Sequence, residues 1–187
     1  RLSAVLFQLP GSFHYTNDNR IYLAKLIAEF EGFPVMIEFR HKEWIRESVF
    51  EGLEKRKAGI VFCDMPMCHL AQMSIISNYA NGAKRRMPQL KNLPDGTVMG
   101  TPFIGKNAYI RLHGRNEGAW YQTGEFPNGS TRYCYDYSEN ELAQFVPIIK
   151  AAGKEGKKVQ VYFNNHPNGS GAKNGLKLKE MVAEDFL

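Results

Sequence analysis

The stretch Asn107-Ala108-Tyr109-Ile110-Arg111-Leu112-His113-Gly114-Arg115 decides the class of fold. Its apolar and aromatic content suits a strand. On a period of two, Ile110 and Leu112 share one face, while Arg111, His113 and Arg115 share the other. Four other runs resemble it: residues 4–9, 34–41, 59–64 and 158–166, each rich in Val, Ile, Phe or Tyr and bounded by Gly, Pro, Asn or Asp. Between most of them the apolar spacing turns helical. Ile21, Leu23, Leu26, Ile27 and Phe30 line one helical face, and Ile45, Val49, Phe50 and Leu53 line another. Ser138-Glu139-Asn140-Glu141 is a reciprocal capping box, followed by Leu142, Phe145, Val146 and Ile149. Pro147 should bend or split that helix, Gly153 should stop it, and a last helix is expected over residues 173–186. Strand alternating with helix means parallel strands joined by right-handed crossovers, hence an α/β sheet or barrel.

The expectation is one domain over residues 1–187, with two excursions. Residues 65–106 are too long for an ordinary connection and hold four prolines, so they form a lid or local subdomain. Residues 120–136, with Asn128-Gly129, suggest a small hairpin. The net charge of +5 permits anionic partners, an anionic small molecule or nucleic acid, but over a whole surface it is commonly plain solubility. The basic clusters are Lys84-Arg85-Arg86 and Lys154 with Lys157-Lys158, the latter read as solvated lysines. No run approaches the roughly 20 apolar residues of a membrane span, so no membrane partner is expected. Three cysteines without a secretory pattern fit a reducing cytoplasm. Cys63, Cys68 and His69 lack the second ligand pair of a zinc finger, so no metal ligand is assigned.

The carboxyl ends of the strands carry the chemistry. Strands buried on both faces should be nearly all apolar, yet four of the five end in polar clusters. They end at Glu38-Phe39-Arg40-His41, at Asp64, at Arg111 to Arg115, and at Asn164-Asn165-His166. In parallel α/β proteins this is the end where ligands bind. Glu38, Asp64, His113 and His166 are the candidate acids and bases, and the two carboxylates could instead hold a divalent metal. Arg40, Arg111 and Arg115 could clamp a carboxylate or phosphate, with Asn164 and Asn165 as further contacts. The bland alternative stands beside each: Glu38–Arg111 as a structural ion pair, and Asn164 and Asn165 as loop hydrogen-bonders. His41 falls off the inward phase and reads as an end-of-strand hydrogen-bonder, and Gly114 as a sharp turn.

Phe7-Gln8-Leu9-Pro10 with Phe13, Glu38-Phe39-Arg40-His41 with Trp44, Asp64, Arg111-Leu112-His113-Gly114-Arg115, Tyr137-Ser138 with Glu141-Leu142, and Tyr162-Phe163-Asn164-Asn165 with His166 resemble the YecE-like family, domain of unknown function 72. The likeness covers nearly the whole chain. It implies a TIM-type barrel whose opening strands lie in an N-terminal portion missing here, in keeping with a length below the roughly 250 residues of that fold. It establishes no activity. The leading expectation is an enzyme, a hydrolase or isomerase of the barrel type, acting on an anionic, phosphate-containing or nucleic-acid substrate. The alternatives are a nucleic-acid-binding protein without chemistry and a structural protein. Oligomeric state stays open.

Overall fold

Five parallel strands form the centre of the computed structural model, which describes residues 2–66, 91–92, 98–99, 103–120 and 131–184. They are β1 (Val5–Gln8), β2 (Val35–Glu38), β3 (Gly59–Asp64), β6 (Asn107–Leu112) and β7 (Lys158–Phe163), adjacent in that order. Each pairing is parallel, with Gln8 beside Glu38, Ile37 beside Ile60, Cys63 beside Arg111 and Arg111 beside Tyr162. The expected strands are all present, but β2, β6 and β7 stop at Glu38, Leu112 and Phe163, three residues before the sequence reading ends them.

Alternation sorts the two faces as the period of two requires. Val35, Ile37, Phe39 and Ile60 pack with Leu23 and Ile27 of α1 (Asn17–Glu29) and Val49, Phe50 and Leu53 of α2 (Glu47–Lys55). Phe62, Ala108, Ile110 and Leu112 pack with Leu142 of α4 (Glu139–Ala143), Ile148, Ile149 and Ala152 of α5 (Val146–Lys154) and Leu178 of α6 (Ser170–Glu184). The opposite face is apolar at its amino end, where Ala4, Leu6, Met36, Val61 and Tyr109 cluster. It turns polar at its carboxyl end. Gln160 Nε2 donates to Ser3 Oγ across 2.9 Å, so side chains at the two outer strands meet over this face. The sheet is curved but not closed, since β1 and β7 are not paired.

Local chemistry explains the helix limits. Thr16 caps α1 by accepting from the Asn19 amide, and the Ser138–Glu141 box caps α4 with both of its bonds formed. Pro147 splits the expected helix in two and sits in the first turn of α5, where its missing N–H costs nothing. The stop lies beyond Gly153, with Gly156 at φ +72° after Lys154. The last helix starts at Ser170, three residues before the expected start.

The residue 65–106 connector lies largely outside the described residues, which include within it a short antiparallel pair, β4 (Lys91–Asn92) with β5 (Val98–Met99). Cys68, His69 and Lys84-Arg85-Arg86 are outside them, as is the Asn128-Gly129 turn. Either side of residues 121–130 stand α3 (Glu117–Trp120) and a 3-10 turn, Thr131–Tyr133. Lys157 is tied down, its Nζ donating to the Gly105 carbonyl at 2.8 Å. No helix among the described residues is long and apolar enough to cross a membrane.

Candidate functional site

Two polar hubs form at the carboxyl ends of the strands. The first centres on Glu38, the last residue of β2, which is fully buried. Arg40 Nε donates to Glu38 Oε1 at 3.0 Å, and Arg111 Nη1 donates to Glu38 Oε2. Both arginines also donate to Gln8 Oε1 on β1, each at 2.9 Å. His113 Nε2 lies 3.6 Å from Glu38 Oε1, beyond hydrogen-bond length, and neither ring nitrogen has a hydrogen-bond partner among the described residues. Trp120 and Tyr133 cover the imidazole, with ring centroids 6.4 and 6.0 Å away.

The charges set the protonation states. Burial alone would raise the Glu38 carboxyl, but contact with His113 and the charge of Arg111 outweigh it and hold the group at about 2, down from 4.5. Burial pushes His113 below its ordinary value, and Glu38 does not fully offset this. The hub therefore holds one carboxylate, two guanidiniums and a neutral imidazole near neutral pH. Counted over the described residues, its net charge is positive.

The second hub centres on Asp64, at the end of β3 and also fully buried. Arg115 Nε donates to Asp64 Oδ2 at 2.9 Å, and the Tyr137 hydroxyl donates to the same oxygen at 2.7 Å while accepting the Gly114 amide at 2.8 Å. Burial and the Asp64 charge push the Tyr137 hydroxyl up, so it stays a donor. Arg115 also reaches Glu141 Oε1 at 3.5 Å and Gln144 Oε1 at 3.1 Å. Among the described residues, two carboxylates, Asp64 and Glu141, face one guanidinium here.

Arg115 was expected on the face of Arg111 and His113. The strand ends at Leu112, and Gly114 takes φ +94°, which breaks the alternation and turns Arg115 to Asp64. Asp64 itself follows Ile60 and Phe62 in phase, the face that meets the helices. His166 is exposed; its Nδ1 lies 3.0 Å from the Asn164 carbonyl, and the Tyr133 ring lies tilted near both histidines, its centroid 5.8 Å from that of His166. Asn165 is buried and donates to the Tyr135 carbonyl and to Asn174 Oδ1 of α6, while Asn174 in turn holds Tyr137 and Asp136. It is a brace between β7, α6 and the loop that carries Tyr137. Asn164 is half-buried, and its amide donates to the Leu112 carbonyl.

Sequence reasoning left Gln8 and Tyr137 out of the site. Gln8 follows Ala4 and Leu6 on the inner face by simple alternation, so its position was legible. Tyr137 carries no such signal, because it acts from a loop. Glu38, Cys63 and His113 bring three metal-ligating atoms within 4.8 Å of one another, but two guanidiniums already face Glu38 and oppose a cation there. A cavity of about 250 Å³ lies elsewhere, between α1 and α2, lined by Tyr15, Ile27 and Val49 among others. It lacks converging charged groups of both signs, so the strand ends remain the better candidate.

The model of the family described as protein of unknown function DUF72 matches residues 1–186. The chain belongs to the DUF72 family. UPF0759 protein YunF of Bacillus subtilis (strain 168) is 26% identical over 191 residues, which span all of this chain and 60% of that protein. A DUF72 family protein from Thermotoga maritima MSB8 superposes with a TM-score of 0.71 at 31% identity, covering 98% of this chain and 58% of that one. A DUF72 family protein from Enterococcus faecalis V583 gives a TM-score of 0.69 at 24% identity, over 97% of this chain and 58% of that one, a likeness of fold. The chain thus spans about three-fifths of the length of these DUF72 relatives.

Proposed function

We propose that this DUF72 chain belongs to a TIM-type barrel that binds an oxyanion-bearing small molecule, a phosphate-containing one above all, at the Arg40–Glu38–Arg111 hub. One observation carries the reading: two guanidiniums converge on a single buried carboxylate beside a buried imidazole without a hydrogen-bond partner among the described residues. Glu38 fixes the two forks and neutralises one of them, and the second charge remains for a ligand. Each guanidinium has five N–H donors, so both keep donors free of Glu38 and Gln8. His113, neutral and shielded from water, is suited to take a proton from a hydroxyl or water of the bound molecule, the general-base role. His166, exposed and apart, is left out of this step.

The barrel is supported by the curvature that brings Gln160 to Ser3 and by the greater length of the relatives. Strands lying between β7 and β1 would close it. In the Asp64–Tyr137–Arg115 hub the guanidinium is held by Asp64, Glu141 and Gln144 and the Tyr137 hydroxyl by Asp64 and the Gly114 amide, and the hub's role is to hold the loops around the mouth.

Calorimetric titration with pyrophosphate tests the binding. Saturable heat is expected from the native chain, weakened at least about tenfold by Arg111→Lys and by Arg40→Gln, since either change removes bidentate donors. Thermal melting checks that each variant is folded. No saturable heat from the native chain, or equal affinity in both variants, would overturn the reading. A nucleic-acid partner would instead show affinity for single strands that falls steeply with salt and does not depend on these two arginines.

A further inference from the structure

On other residues than the arginine hub, and independently of it, we propose that His14, His41 and Glu43 form a site for one divalent transition-metal ion of the zinc type. Each offers one ligand atom, and the three atoms lie within 4.8 Å of one another. Two imidazoles and a carboxylate are a donor set that zinc and its neighbours take, with a fourth position left open. Bonds of about 2.0–2.2 Å in a tetrahedral site set ligand atoms roughly 3.4 Å apart. His41 Nδ1 and Glu43 Oε2 already stand 3.6 Å apart. The remaining closure is at most about 1.4 Å, which rotation of the exposed His14 and Glu43 side chains supplies.

The approach of His14 is built into the fold. His14 lies between β1 and α1, and His41 and Glu43 lie at the 3-10 turn Lys42–Trp44 after β2. Trp44 ties the two segments together: its indole N–H donates to the Phe13 carbonyl, one residue before His14. Its ring also stacks between Phe39 and Phe13, with centroids 4.8 and 5.3 Å away and planes within 13° of parallel. Asn19 of α1 fixes His14 further by donating to its carbonyl at 2.8 Å. The result is an edge-to-face pair of imidazoles with ring centroids 4.4 Å apart.

The charge environment separates this cluster from Glu38, Cys63 and His113. There, two guanidiniums occupy the carboxylate. Here, the ion-pair partner of Glu43 among the described residues is His41 alone. Arg46 donates its Nε to the Glu43 backbone carbonyl and lays its guanidinium over the Tyr15 ring, 4.1 Å from the centroid, rather than on the Glu43 carboxylate. His41 Nδ1 accepts only a long bond, 3.4 Å from the Glu43 amide, which a metal ion would replace.

Titration of the chelator-stripped chain with Zn²⁺ by calorimetry tests the site, with Co²⁺ absorption as a second readout. One ion per chain is expected, with affinity falling at least about tenfold in His14→Ala and in His41→Ala. Glu43→Gln should weaken binding as well. The metal-free His14→Ala and Glu43→Gln variants should melt like the native chain, because His14 and Glu43 are exposed. Cys63→Ser should bind as the native chain does, and bound Co²⁺ should show no thiolate charge-transfer band. Absence of saturable binding, indifference to both histidine changes, or loss in Cys63→Ser would overturn the proposal.

Discussion

Replacing Glu38 by Gln removes one charge from a buried ion group. Glu38 is fully buried, and its partners Arg40 and Arg111 expose 17% and 13% of their side chains, so solvent screens the group little. A carboxyl held at about 2 in the folded chain, against 4.5 outside it, contributes about 3 kcal/mol at pH 7. That agrees with the roughly 3–5 kcal/mol lost when one partner of a buried pair is removed. The folded-state value is the lower one, so the contribution is complete above about pH 4.5 and is lost as the pH falls through about 2. Urea unfolding of the native chain and of Glu38→Gln, compared from pH 7 to pH 3, measures the gap. The native chain should be more stable by about 3 kcal/mol at pH 7, narrowing to about 1 kcal/mol at pH 3. A gap below about 1 kcal/mol at pH 7, or one that does not narrow in acid, would refute the reasoning.

Three other perturbations test the frame around the site. Gly114→Ala places a Cβ 2.6 Å from that of Tyr135 at φ +94°, and should cost about 1–3 kcal/mol in urea unfolding. Tyr137→Phe leaves the Gly114 amide and Asp64 each without a partner they now have, and should destabilise by a similar about 1–3 kcal/mol. Ser138→Ala breaks the capping box of α4 and should lower stability by about 1 kcal/mol without changing pyrophosphate binding, which a calorimetric titration would check.

The arrangement of strands was legible because alternation is a local rule. Ile110 and Leu112 went to the helices and Arg111 and His113 to the inner face as their spacing requires. The rule failed where the backbone left the extended region, and Gly114 moved Arg115 from one hub to the other. Loop residues were legible only where a motif marked them. Ser138 and Glu141 announced their cap, whereas Tyr137, one residue earlier, gave no sign that it would bridge Gly114 and Asp64. Likewise His14 and His41 lie on different loops, and nothing in their spacing shows that Trp44 would bring them together. Asn165, read from sequence as a ligand contact or a bond to the following loop, instead braces the Tyr135 carbonyl and Asn174 of α6.

The central claim is that an oxyanion sits beside His113 on the Arg40–Arg111 pair. NMR of the histidine side chains during titration with inorganic phosphate observes this directly. The account predicts that the His113 imidazole resonances shift and saturate with added phosphate, and that Arg111→Lys abolishes the shift. Resonances of His113 that stay fixed while phosphate is raised to saturation of any other site would contradict it.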